Sequence, residues 1–214
     1  MRADIKIGEI WMESDLRLVF NERTISPPEP KLVQIELLGS SDVIDVTEII
    51  SGDVEYKQRT ITIRLKSGTG RDNYHSEQST LENYIHGKKL KIIFNKDPEF
   101  YWIGRISVSN TDPEIFGSTI TITATVDPYK YLVTPHVYGG TVVGSLTITI
   151  AGMRKRVCPK ITVGSVMTVS YLGKTYDLSV GENIIPDIFL GEGNHQLTFS
   201  GSGTVSVAYQ GGSL

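Results

Sequence analysis

Thr119-Ile120-Thr121-Ile122-Thr123-Ala124-Thr125-Val126 is the stretch that most restricts what this chain can become. Polar and apolar residues alternate through it. Only a strand, whose side chains point to opposite faces in turn, puts Ile120, Ile122, Ala124 and Val126 on one buried side. Asp127-Pro128 ends the run, because proline has no N–H to give to a ladder. Upstream, Ile103, Ile106 and Val108 read as a second strand, with Asp112-Pro113 and Phe116-Gly117 in the connection. The span from Phe100-Tyr101-Trp102-Ile103-Gly104-Arg105 to Asp127-Pro128-Tyr129-Lys130-Tyr131 is therefore read as a hairpin that closes a first domain.

Other segments repeat the pattern. In Val54–Leu65, Ile61, Ile63 and Leu65 face a core, with Thr62, Arg64 and Lys66 outward. Short strands are expected over residues 4–25, where Leu16, Leu18 and Phe20 alternate with Arg17 and Val19, and over Leu32–Leu38. Between them, Ser26-Pro27-Pro28-Glu29-Pro30 is extended and barred from a sheet interior, which suits an arm or an edge crossing. One helix is predicted, from about Ser76 to His86. Leu81 and Ile85 share a face, Ser76 caps the start, Gly87 stops the end, and Lys88 and Lys89 complement the negative pole.

Past Thr134-Pro135 the composition shifts. Residues 135–214 hold only five of the 21 lysines and arginines and four of the 24 carboxylates, which leaves 16 and 20 to residues 1–134. The later segment is rich in Gly, Thr, Ser and Val. Leu146, Ile148 and Ile150 alternate with polar residues, and further strands are expected at Lys160–Val163, Val166–Tyr171, Lys174–Leu178, Gln196–Phe199 and Thr204–Tyr209. Glycines at 164, 173, 181, 191, 193, 201 and 203 punctuate them. Many short strands with regular turns make a sandwich. The expectation is a mainly β protein of two domains. Residues 1–134 form a β-sandwich-like domain with one α-helix and a Pro-rich arm, and residues 135–214 form a β-sandwich.

Chemistry is sparse. A net charge of −3 and a pI of about 5.8 argue against a nucleic-acid binder, so no sequence-specific nucleic acid is expected as a partner. The lone Cys158 excludes an internal disulfide framework and a Cys-rich zinc site, and its β context before Pro159 reads as an inert core thiol. The N-terminus lacks a signal-peptide apolar run, and no segment nears the ~20 apolar residues of a membrane helix, so a soluble, cytoplasmically made protein is expected. His75, His86, His136 and His195 are scattered; the first two, eleven residues apart, would stand about 16 Å apart on a helix. Gly68-Thr69-Gly70-Arg71 lacks the Gly-Lys-Ser/Thr end of a phosphate loop, and no serine sits in a Gly-x-Ser-x-Gly elbow. No catalytic residue, metal or cofactor is expected, and the chain is not read as an enzyme. Met153-Arg154-Lys155-Arg156 is either a patch for an anionic partner or a solvated hairpin. An aromatic platform for sugars is the alternative functional reading, a carbohydrate-binding module of a host-recognition device. Both tryptophans, Trp11 and Trp102, lie in the first domain, and Tyr138, Tyr171, Tyr176, Phe189 and Tyr209 of the second fall mostly in alternating strands.

The order of these features resembles a family. A Pro-rich arm precedes Asp42-Val43-Ile44-Asp45-Val46-Thr47-Glu48 and then Tyr56-Lys57-Gln58-Arg59-Thr60-Ile61. A single helix ending at Gly87-Lys88 follows, then Tyr101-Trp102-Ile103-Gly104-Arg105 and Asp127-Pro128-Tyr129-Lys130-Tyr131. This looks like the distal tail protein (Dit) of long-tailed bacteriophages. A Pro-Gly-x-x-Gly turn frequent in the family is replaced here by Leu38-Gly39-Ser40-Ser41-Asp42. The resemblance implies a virion protein of the phage tail tip, a hexameric ring joining the tail tube to the adsorption apparatus. It implies first domains that build the ring and galectin-like C-terminal sandwiches that project outward. The implied partners are further copies of the chain, the tail-tube and tape-measure proteins, and a tail-associated hub or receptor-binding protein, with no membrane. The signature falls on Tyr56, Arg59, Tyr101, Gly104, Arg105, Pro128 and Tyr129, and the candidate assembly arm on Pro27, Pro28 and Pro30.

Overall fold

The alternating run becomes an inner strand of a curled sheet. A computed structural model describes residues 3–39, 41–49, 52–67, 74–114 and 117–214. The chain divides into two compact units, Met1–Pro128 and Tyr129–Leu214. In chain order the first unit holds β1 (Ile5–Ile7), β2 (Ile10–Trp11), α1 (Met12–Leu16), β3 (Leu18–Ile25), β4 (Gln34–Glu36) and β5 (Val43–Asp45). It continues with β6 (Arg59–Ser67), α2 (Tyr74–Ile85), β7 (Lys89–Phe94), β8 (Phe100–Glu114) and β9 (Gly117–Val126).

The strands line up as β2-β1-β7-β8-β9-β6-β3, all antiparallel where they pair. β9 sits between β8 and β6, so Ile122 lies opposite Val108 on one side and Ile63 on the other. Ile120, Ile122, Ala124 and Val126 are fully buried, as their alternation requires. The sheet curls until Phe20 of β3 meets Phe94 of β7 edge-on, ring centroids 6.3 Å apart. Leu81 and Ile85 of α2 complete the same core.

Several local expectations change. A second helix, α1, was not legible. Its five residues are too few for a periodic signal, and tertiary groups hold it: the Asp4 carboxylate accepts the Glu13 N–H, and Asp15 accepts the Trp11 N–H. Helix α2 begins at Tyr74, so Ser76 is inside its first turn rather than capping it. Its carbonyl instead accepts the Thr80 hydroxyl at 2.8 Å, while Glu77 takes a hydrogen bond from Ser67 and ties the helix start to β6. Asp112-Pro113 lies in β8, not in the connection. A register shift between Val108 and Thr111 lets the strand run on to Glu114. Phe116 and Gly68–Arg71 lie outside the described residues.

Tyr129–Thr134, read from sequence as the end of the first domain, falls within the second compact unit. There β10 (Lys130–Leu132) pairs with β17 (Gly212–Ser213). The remaining strands are β11 (His136–Gly152), β12 (Lys160–Val163), β13 (Met167–Tyr171), β14 (Lys174–Leu178), β15 (Gly181–Ile184) and β16 (Gly193–Tyr209). β11 and β16 form one hairpin in register from His136↔Tyr209 to Gly152↔Gly193. The two strands expected at Gln196–Phe199 and Thr204–Tyr209 are thus a single strand. Its other edge is shared: Thr198–Ser200 pair with β13, and Val205–Ala208 pair with β12. Gly201 and Gly203, read from sequence as turn glycines, mark that fork within the strand, at φ 147° and 139°. A Cβ at Gly201 would press on Met167, and one at Gly203 on Ser165. Only glycine lets the strand bend over the core there. Leu197, Phe199, Val205, Val207 and Tyr209 all face inward. Tyr209 donates to the Ala151 carbonyl. Burial first, then the neighbouring Tyr138, pushes its phenol up to about 12.

Two outcomes follow. Ile122→Ala should lower stability by roughly 2–4 kcal/mol, because a fully buried branched side chain leaves a cavity; chemical denaturation measures it. The neutral Tyr209 phenol is favoured by the folded state, so its contribution is intact below pH 10 and disappears as pH climbs from 10 towards about 12. Denaturation midpoints should fall across that window, and Tyr209→Phe should shrink the fall.

Candidate assembly surface

Arg59 occupies an inward position. It has the same parity as Ile61, Ile63 and Leu65 in β6, and it is 9% exposed. Its Nε donates to the Ser26 carbonyl at 2.8 Å, and Nη1 donates to the Pro128 carbonyl at 3.2 Å. The guanidinium lies over the Trp102 ring, 4.9 Å from the centroid. Burial lowers its pKa from the usual arginine value. One side chain therefore joins the last residue before the prolines, the end of β9 and the start of β6. Ser26 is fixed from both sides as well, since its N–H donates to the Thr60 carbonyl and its hydroxyl accepts the Thr60 N–H.

Beyond Ser26 the chain leaves the sheet. Pro30 forms an isolated antiparallel bridge with Tyr56. The proline gives no hydrogen bond; the flanking Lys31 and Lys57 N–H groups donate to the Glu55 and Glu29 carbonyls, each at 2.8 Å. A Lys57–Glu29 ion pair at 3.3 Å crosses the same rung. Farther out, β4 and β5 form a separate two-stranded sheet. The expected Leu32–Leu38 strand is thus shorter, and the strand expected from Val54 becomes regular only at Arg59. Residues 31–39 and 41–45 are all exposed, among them Leu32, Val33, Ile35, Leu37, Leu38, Val43 and Ile44. Ile35 and Ile44 stand opposite each other on one face of this blade, and Glu36 and Asp45 stand on the other. Thr47, through its hydroxyl and its N–H, holds the Asp45 carboxyl below its ordinary range.

The other signature residues have distinct places. Gly104 is buried on β8, where a Cβ would run into the Thr125 carbonyl oxygen of β9, so only glycine permits that pairing. Arg105 points outward and donates to the Gly87 carbonyl at 2.6 Å, fastening the end of α2. Lys91 lies over the Tyr101 ring at 4.5 Å, and burial, then Asp127, raises the Tyr101 pKa. Tyr129, the first residue of the second unit, is buried. The structure thus brings Arg59 to Pro128 and Tyr56 to Pro30. The partners Ser26 and Trp102 were missed in the sequence reading. The available signal was the parity of Arg59 with the buried isoleucines.

Two concavities flank the arm. One of about 640 Å³ lies at its base, lined by Pro30, Leu32, Asp45, Thr47, Glu48, Ile49, Val54 and Tyr56. Another, of about 510 Å³, opens on the sheet and is lined by Gln58, Gly87, Lys89, Gly104, Arg105, Ile106, Ser107, Thr125 and Asp127. Among the described residues no group of three or more His, Cys, Asp or Glu is placed to hold a metal, and no helix is long and apolar enough to cross a membrane. His86 is engaged structurally, its Nδ1 accepting the Val108 N–H. Cys158 is half-buried, donates to the Ile185 carbonyl at 3.0 Å and has its pKa raised by burial. In the second unit Tyr171 and Tyr209 are buried, and Tyr138 stacks on Tyr209. The basic run is not a bare patch: Lys155 lies over Tyr131 and Arg156 over Phe189.

No protein-family model and no curated protein matches the sequence. Among solved structures, the Dit protein of phage SPP1 matches with a TM-score of 0.67 over 98% of this chain and 99% of that one, at 14% identity. The fold is that of a Dit protein. SPP1 Dit is described as a paradigm of the hub adsorption apparatus in phages infecting Gram-positive bacteria. The likeness spans both compact units, including the arm.

Removing the clamp tests its part in the arm's attachment. Arg59→Ala should lower stability by about 2–3 kcal/mol, since two hydrogen bonds from a charged donor are lost, and should speed protease cleavage at residues 26–30. Arg59→Lys, which cannot reach both carbonyls, should fall between the two. Unchanged melts and unchanged cleavage for Arg59→Ala would show that the arm root is held by other means.

Proposed function

We propose that the chain is a Dit-type structural hub of a long-tailed phage tail tip. In this reading six copies close into a ring that joins the tail tube to the adsorption apparatus. The tail-tube and tape-measure proteins and a tail-associated hub or receptor-binding protein are its neighbours. The work is architectural, without catalysis or a cofactor. The supporting observation is the arm: a two-stranded blade that exposes Ile35, Leu37, Leu38, Val43 and Ile44, on a chain whose whole length follows the fold of a phage hub protein. An isolated two-stranded ribbon is at best marginally stable in water. An exposed apolar blade of this kind gains stability when a neighbour covers it.

A closed ring of identical subunits needs a heterologous contact, in which one surface of each copy meets a different surface of the next. A prolonged arm supplies one half of such a contact. Its prolines restrict the unfolded arm, so docking it costs less chain entropy than docking a flexible loop. Tyr129–Leu214 takes the part of the family's galectin-like sandwich and is dispensable for ring closure.

Light scattering on the full chain, alone and with tail-tube protein, should give the mass of six subunits. Ile35→Asp with Ile44→Asp should leave monomers with an unchanged denaturation midpoint. A wild-type chain that stays monomeric under both conditions would overturn the ring.

A further inference from the structure

The arm is charged as well as apolar. Residues 29–55 contain seven carboxylates and one lysine, a net −6 in a chain whose total is −3, which leaves +3 for the rest. Glu36 and Asp45 lie on one face of the blade, and both are exposed. The opposite charge collects on the outer side of the sheet. Lys89 of β7 stands directly across from Arg105 of β8, and both line the 510 Å³ concavity, with Asp127 as its one carboxylate. Lys88 and Lys91 are exposed beside it. Gln58, at the other rim, follows the Lys57 that closes the root of the same chain's own arm.

We propose that this concavity is the seat for the arm of a second copy, with Glu36 and Asp45 of the incoming blade facing Lys89 and Arg105. The proposal rests on the ring reading above and names the receiving surface. Charge complementarity selects it. Apposed opposite fields steer encounter and fix register, whereas an arm meeting its own kind would bring like charges together. The position also suits a ring. A seat beside the root of the receiving copy's own arm lets each copy accept one arm and extend another, so the contacts run head to tail and can close. The apolar side of the blade, with Ile35 and Ile44, then lies away from the basic residues and remains for burial against the same neighbour.

Charge reversal with complementation is the test, on the full chain. One variant carries Glu36→Lys and Asp45→Lys; the other carries Lys89→Glu and Arg105→Glu. In each alone, both halves of the contact bear the same sign, so light scattering should read a shift from the six-subunit mass to the monomer. Mixed at equal amounts, a positive arm meets a negative seat and a negative arm meets a positive seat. An alternating ring of six satisfies every contact, and the six-subunit mass should return. Its return also shows that both variants are folded. Should either double variant fail to fold, the single changes Glu36→Lys and Lys89→Glu, on exposed side chains, carry the same comparison. Variants that assemble as well as the wild type, or that lose assembly and show no recovery on mixing while folded, overturn the proposed seat and leave the ring standing. A monomeric wild type overturns the ring itself.

Discussion

A buried guanidinium governs how the first unit is put together. Arg59 stands where alternation would place an aliphatic residue, so its charge is partly withdrawn from water. An uncompensated charge there would be strongly destabilising. Two backbone carbonyls and the Trp102 face compensate it. Those carbonyls belong to Ser26 and Pro128, which are far apart in sequence. The cost of burying the charge is thereby converted into a requirement that the arm root and the end of β9 sit against β6. The position of the arm follows from that requirement.

The blade itself has no core. Its bridge at Pro30 and Tyr56 is held by the neighbouring lysine N–H groups, because proline can only stand in the rung without donating to it. Farther out the ladder is three residue pairs long, with large apolar side chains in solvent. A segment so exposed carries its energetic meaning in what it meets. In the proposed ring, that exposure is what the neighbouring copy would cover, and the acidic face of the blade would give the contact a direction.

The second unit solves a different problem. Its longest strand serves two partners on one edge, and the change of partner falls where Gly201 and Gly203 remove the side chains that would collide with Met167 and Ser165. The core then continues across the bend without interruption, from Leu197 and Phe199 to Val205 and Val207.

Much of this was legible in the chain itself. Alternation marked Ile61, Ile63, Leu65 and the Ile120–Val126 run as core, because strand geometry converts a period of two into two faces whatever surrounds it. Gly87 announced the end of α2, and the prolines announced that Ser26–Pro30 leaves the sheet. The sequence alone also supported the resemblance that the full-length fold likeness later matched. Other features needed the tertiary structure. Helix α1 exists because Asp4 and Asp15 satisfy its backbone, which no local propensity encodes. Gly201 and Gly203 read as turns, since glycine's freedom serves a turn and a mid-strand bend equally. Lys130 and Tyr131 pair with Ser213 and Gly212, a contact between residues some eighty positions apart that no local pattern announces. The meeting of Arg59 with Ser26 and Pro128, and of Lys89 with Arg105, was likewise decided by strand register. Composition specifies which side chains must be buried or paired, but only the closed sheet determines which partners come within reach.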